Sequence, residues 1–248
     1  MFTGRKSSIR GKRVKKVLAV IGVFCIFLIQ PAVRASELTY LFMPAVRQDK
    51  PQSMLVMMHG YGANEQDFND FPVIVPGNMI VVSLRAPLPV AGDSYQWYRG
   101  SDKQKNVAAD QQSSSDAVVS TVKTLQQQYH VAASHTYLGG FSQGAVMTYK
   151  VALMYPQLFH GVAVFSGHLP ANFSVNSIPR HQVSQLHFFI GHGDADQRIP
   201  LALARQAVDQ LSGVTPDITF KTYPGMGHTM SLDEIKDFRQ WLFSQEVQ

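Results

Sequence analysis

Gly140-Phe141-Ser142-Gln143-Gly144 is a G-x-S-x-G pentapeptide, preceded by the β-prone run 136–138 and followed by a helical stretch over 144–154. A serine placed where a strand turns sharply into a helix sits in a strained backbone conformation. Glycines on either side keep side chains from colliding where strand and helix nearly touch. The turn also holds the Ser142 hydroxyl above the sheet at a helix start, whose free N–H groups favour developing negative charge. Glycine–serine turns are common by themselves; the strand–turn–helix setting is what makes Ser142 a candidate nucleophile.

Outward from that turn, β-rich runs alternate with longer helical stretches. Strands are predicted over 38–43, 54–58, 79–84, 136–138, 162–165, 186–190 and 218–223, and helices over 108–129, 144–154, 201–211 and 233–243. Several strands are continuously apolar, as strands buried on both faces are. Val118, Val122, Leu125 and Tyr129 fall at helical spacing, as do Ile235, Phe238 and Leu242. The alternation predicts an α/β fold with a mostly parallel central sheet covered by helices on both faces. Met54, Met57 and Met58 read as strand core. Residues 85–107 show no clear element. They hold Tyr95, Trp97 and Tyr98, which either wall a pocket or pack the loop onto the sheet.

A serine hydroxyl needs a base, and the base needs an acid to hold its tautomer. His228 lies in the glycine-flanked loop after the last predicted strand. The run Gly191-His192-Gly193-Asp194-Ala195-Asp196, after the penultimate one, offers two carboxylates. Serine, aspartate, histidine is the chain order of α/β-hydrolases. An oxyanion needs two backbone donors. Gln143, after the nucleophile, supplies one, and Tyr61 in the glycine-rich loop Met58-His59-Gly60-Tyr61-Gly62 the other. His59 reads as a structural residue of that loop. His192, Asp194 and Asp196 lack a second ligand cluster, so no metal site is assigned, and a serine triad requires no cofactor.

These motifs together resemble the phospholipase/carboxylesterase family, which includes acyl-protein thioesterases and small bacterial carboxylesterases. The resemblance is carried by His59 to Glu65, Gly140 to Gly144, Gly193 to Pro200 and Gly225 to His228, and it spans residues 38–245. It implies the α/β-hydrolase fold without a large cap domain. Gly193, Asp196, Ile199 and Pro200 match the family's G-x-x-D-x-x-[VI]-P stretch, which implies Asp196 as the acid. The family likewise implies backbone donors at the positions of Tyr61 and Gln143. Tyr95 to Tyr98 is similar to the aromatic segment beside the family's acyl pocket, implying substrate contact at Tyr95 and Trp97.

The charge distribution adds an address. The 248 residues carry 22 Lys/Arg and 17 Asp/Glu, a formal net charge of +5. Eight of the basic residues and no acidic one fall in 1–35, so 36–248 carries a net charge of −3. Nucleic acid is thereby excluded as the expected partner, because its binding rests on concentrated basic charge. Within 1–35, basic residues up to Lys16 precede a 13-residue apolar run, 17–29, and then Val33-Arg34-Ala35. That is the pattern of a secretory signal peptide cleaved after Ala35, and the run is shorter than the ~17–25 residues a membrane span needs. The expected organisation is therefore a signal peptide, 1–35, and a catalytic domain, 36–248, with no stable membrane insertion after cleavage. The expected protein is an exported serine carboxylesterase, periplasmic or extracellular, acting on a small-molecule ester or lysolipid. The alternatives are a lysophospholipase or acyl thioesterase with the same triad, and a binding protein that kept the fold without turnover.

Overall fold

Nine strands and five helices follow one another in the computed structural model, which describes Met1 and residues 37–49, 52–100, 106–171 and 173–246. β1 (Tyr40–Met43), β2 (Ser53–Met58) and β3 (Met79–Leu84) lead into a short hairpin, β4 (Leu88–Ala91) and β5 (Ser94–Gln96). Then come α1 (Val107–Gln128), β6 (Thr136–Phe141), α2 (Gln143–Met154), β7 (Gly161–Phe165) and α3 (Arg180–Val183). β8 (His187–Gly193), α4 (Leu201–Ser212), β9 (Ile218–Tyr223) and α5 (Leu232–Gln245) complete the order. The signal segment expected over 1–35 lies outside the described residues except for Met1.

The main sheet runs β1-β3-β2-β6-β7-β8-β9, with β1 antiparallel and every other pairing parallel. Its apolar strands divide by parity, since successive side chains face opposite ways. Val56, Val82, Leu138, Val164 and Ile190 face one core, which α1, α2 and α4 complete with Val118, Val122, Met147, Ala207 and Leu211. Leu55, Val81, Ala163, Phe165 and Phe189 face the other, closed by Phe238, Trp241 and Leu242 of α5 and by Phe68 and Phe71. Helices thus cover both faces. Between β7 and β8 the described residues form a 3-10 turn, Val175–Ser177, and the four-residue α3, and among the described residues no large cap stands over the sheet.

Two expectations about element bounds change. β6 continues through Gly139-Gly140 to Phe141, and β8 through Gly191 to Gly193. Glycines weaken an isolated strand, but here helices press against them. A Cβ on Gly140 would lie 2.6 Å from the Gly144 carbonyl group, and one on Gly191 would lie 2.1 Å from Glu234 Oε1. The stretch expected to lack elements folds as the β4–β5 hairpin. Its strands are too short for a visible period, and one contains Pro89 beside a register shift.

Helix α5 carries one residue against the polarity rule. Ser231 caps it by accepting the Glu234 N–H at 3.1 Å, yet the Glu234 side chain is fully buried and neither carboxyl oxygen has a hydrogen-bond partner. Burial pushes its pKa from 4.5 up to about 8, so the folded chain holds a neutral acid at pH 7. Because the folded value is the higher one, this group's contribution is fully present below about pH 4.5 and is lost as pH rises through about 8. The expected loss over that interval is on the order of 4 kcal/mol. Glu234→Gln is neutral at every pH and should unfold at higher urea concentration than wild type at pH 8, the gain fading towards pH 4.5. Wild-type and variant midpoints that run parallel across this range would show that Glu234 does not titrate as described.

Candidate active site

Phe141, Phe165 and Gly191 are in register across β6, β7 and β8, and Gly193 pairs with Tyr223 across β8 and β9. The loops after these strands therefore open on one edge of the sheet, where open α/β sheets bind their ligands. Ser142 occupies the first of them, with φ 55° and ψ −117°. An L-residue held there costs about 1–3 kcal/mol. The turn is kept by the Ser142 N–H donating to Phe165 O at 3.0 Å, and by Gly144, where a Cβ would meet Met58 O at 2.1 Å. No residue but glycine fits between α2 and the end of β2.

His228 Nε2 lies 2.8 Å from Ser142 Oγ, and His228 Nδ1 lies 2.7 Å from Asp196 Oδ2. The other carboxylate oxygen, Oδ1, accepts the N–H groups of Arg198 and Ile199, both at 2.9 Å. Burial alone would raise the Asp196 pKa, but the Ile199 N–H, His228 and the Arg198 N–H outweigh it and hold the carboxyl below its usual value. The acid is thus ionised and locked in rotation. Asp194, the other carboxylate in the loop, is exposed and accepts the Gly225 N–H at 2.7 Å. It ties down the histidine loop without reaching the histidine. Phe141 lies against His228, ring centroids 5.0 Å apart. His192 is buried, with its pKa lowered by desolvation, and its Nε2 lies 2.8 Å from Ile199 O.

The two expected donors belong to segments next to the serine. Gln143 opens α2, where backbone N–H groups have no partner within the helix. Tyr61 follows Gly60, on which a Cβ would stand 3.5 Å from Ser142 Cβ. His59 takes the structural place expected of it. Its Nδ1 lies 2.7 Å from Gly60 O, its Nε2 accepts the Ala86 N–H at 3.0 Å, and burial lowers its pKa.

The aromatic segment needs a correction. Trp97 was expected to touch substrate, but it is completely buried, and its indole N–H donates to His59 O at 2.9 Å. A side chain without exposed surface walls no open pocket; it braces the loop before Tyr61. Tyr95 is partly buried, and its backbone pairs with Gly62 and Ala63, the Gly62 N–H donating to Tyr95 O and the Tyr95 N–H to Ala63 O, each at 2.9 Å. Of the two open readings for these rings, packing holds for Trp97. Sequence reasoning missed the Gln143 side chain, whose Oε1 accepts the Trp97 N–H at 2.7 Å and whose Nε2 donates to Tyr98 O at 2.8 Å. No local signal could have revealed it, since the partners lie 45 and 46 residues away. Among the described residues, no three His, Cys, Asp or Glu side chains gather so as to hold a metal ion. None of their helices is long and apolar enough to cross a membrane.

A serine elbow, a histidine after the last strand and an aspartate after the one before it, on this sheet, define an α/β-hydrolase. Residues 44–244 match the Phospholipase/Carboxylesterase family, and the chain belongs to that family. A probable carboxylesterase, SOBER1-like, of Arabidopsis thaliana is 34% identical over 110 residues, 44% of this chain and 41% of its own length. The chain spans less than half the length of such plant relatives. Acyl-protein thioesterase 1 of Debaryomyces hansenii is 26% identical over 218 residues, 78% of this chain and 93% of that protein. Among solved structures, the Bacillus cereus carboxylesterase superposes with a TM-score of 0.70 at 17% identity, covering 84% of this chain and 94% of that one.

Proposed function

We propose that this chain is an exported serine esterase that hydrolyses carboxylic esters of short to medium acyl chains through an acyl-enzyme. The observation that carries the reading is the unbroken line from Asp196 through His228 to Ser142, at 2.7 and 2.8 Å. His228 Nε2 takes the Ser142 proton as Oγ attacks the acyl carbonyl, and Asp196 holds the imidazolium that forms. The N–H groups of Tyr61 and Gln143 bind the oxyanion, and the histidine proton passes to the leaving alcohol. Water, activated by the same histidine, then releases the acid and restores the serine. Membership of a family whose relatives carry the names carboxylesterase and acyl-protein thioesterase supports this chemistry.

The lack of a large cap among the described residues supports soluble esters over emulsified lipid. The expected kcat/KM peaks at or below about eight acyl carbons, each methylene gaining about 0.8 kcal/mol only while it can still be buried. A panel of p-nitrophenyl esters and matched thioesters of graded length tests this, with a serine-directed phosphonate as the check on turnover competence. Activity rising sharply above the critical micelle concentration, or an optimum at sixteen carbons, would favour a lysophospholipase instead. An active protein untouched by the phosphonate would remove the acyl-enzyme.

Export rests on residues 1–35 alone, with their basic start, apolar run and Val33-Arg34-Ala35 end. Protein recovered from a bacterium expressing the whole chain is expected to begin at Ser36 by intact mass. Full-length protein confined to membranes would contradict cleavage.

A further inference from the structure

We infer that the Arg85–Glu65 ion pair, braced on Tyr95, is the device that positions the backbone donor at Tyr61; this inference rests on the esterase reading above. The loop from His59 to Ala63 must hold one N–H at a fixed point beside Ser142, and it contains Gly60 and Gly62, the latter at φ 81°. Two glycines leave such a segment little stiffness of its own. What fixes it lies on either side.

Arg85 stands just past the end of β3, its backbone N–H donating to Thr39 O at 2.8 Å. Its Nε donates to Glu65 Oε2 and its Nη2 to Glu65 Oε1, a two-pronged contact. Its Nη1 donates to the Tyr95 hydroxyl at 3.1 Å, and its guanidinium carbon lies 4.6 Å from the centre of that ring. Glu65 is 6% exposed and opens the 3-10 turn Glu65–Phe68 immediately after the donor loop. Tyr95, through its main chain, grips Gly62 and Ala63. One guanidinium therefore joins the turn that follows the loop to the strand that pairs with the loop's last two residues, Gly62 and Ala63. The residue after Arg85, Ala86, secures the upstream end through His59.

The planar fork matters more than the charge. A guanidinium fixes both the distance and the plane of a carboxylate, whereas an ammonium acts as a point charge. Asp93 Oδ1, 3.6 Å from Arg85 Nη2, belongs to an exposed carboxylate and adds little. Arg85 bonds to Glu65 and to Tyr95 beside the donor loop; Arg85 and Glu65 act through that loop, as positioning residues.

The test compares Arg85→Lys, which keeps the charge and loses the fork, with Glu65→Gln, which keeps the shape and loses the charge. Both should lower kcat about 10- to 100-fold with KM within about twofold, since misplacing a reacting group by an ångström costs about a hundredfold. Affinity for a trifluoromethyl ketone, which places an oxyanion on bonding to serine, should fall by the same factor. Affinity for the product alcohol, which carries no acyl oxygen, should not move. A merely structural role would lower thermal stability without separating these two inhibitors. Should both variants fail to fold, Tyr95→Phe removes one hydroxyl and should lower kcat about threefold at unchanged Tm. Wild-type kcat in the variants, or loss of both inhibitors together, overturns the inference while leaving an active, phosphonate-labelled wild type in place. A wild type that neither turns over esters nor takes the phosphonate on Ser142 overturns the esterase reading first, and this inference with it.

Discussion

Ser142→Ala is expected to abolish ester hydrolysis while the chain folds as before. The hydroxyl is the atom 2.8 Å from His228 Nε2, and without it no acyl-enzyme can form. Triad serines removed in this way cost on the order of 10⁶-fold in kcat, with a residue of about 10³–10⁴ over water from the oxyanion donors. Alanine tolerates φ 55° no worse than serine, so the Tm should stay within about 1–2 °C. Steady-state hydrolysis of p-nitrophenyl acetate, with circular dichroism as the folding control, checks both halves. Turnover near the wild-type rate would remove Ser142 as nucleophile. Because the three residues work as one unit, adding Asp196→Asn to Ser142→Ala should cost almost nothing more.

Asp196→Asn is expected to lower kcat about 10⁴-fold. Asparagine keeps an oxygen for the Arg198 and Ile199 N–H groups, so its amide nitrogen replaces Oδ2 at the 2.7 Å contact with His228 Nδ1. That nitrogen donates. The imidazole must then carry its proton on Nε2, facing Ser142, and can no longer accept the serine proton. Asp194→Asn should cost less than about tenfold, since an amide oxygen still accepts the Gly225 N–H. Measuring kcat for the two variants under one set of conditions decides between them. The reverse ranking would mean that the wrong carboxylate orients the histidine.

Much of the architecture was legible because it depends on patterns only a few residues long. Apolar runs such as Val162-Ala163-Val164-Phe165 mark strands buried on both sides, and the structure buries every one of these four. Helical spacing marked α1 and α5 within two residues at each end. The glycine, serine and histidine positions were readable because backbone chirality and hydrogen-bonding chemistry allow few residue types there, whereas the choice of Asp196 over Asp194 came from the family resemblance. With Met58 O, at the end of β2, 2.1 Å from where a Cβ on Gly144 would stand, that position admits glycine alone.

Other features carry no local mark. Nothing near Trp97 distinguishes a ring that lines a pocket from one that is sealed beneath a loop; its partner, His59 O, is 38 residues away. Nor does anything near Arg85 indicate that its fork closes on Glu65, 20 residues earlier. The capping pair Ser231 and Glu234 reads as an ordinary solvent-facing helix start, yet Glu234 turns under Gly191, where the absence of a side chain leaves room for its carboxyl. By itself, then, the sequence determined the order of the seven main-sheet strands and of helices α1, α2, α4 and α5, and the chemical types at the elbow, acid and base. Each of these follows from forces between neighbours along the chain. Only the tertiary structure decided which aromatic ring is buried, which ion pair braces the donor loop and which acid stays neutral. Those outcomes depend on who meets whom across the sheet edge, and burial, not sequence distance, sets their energies.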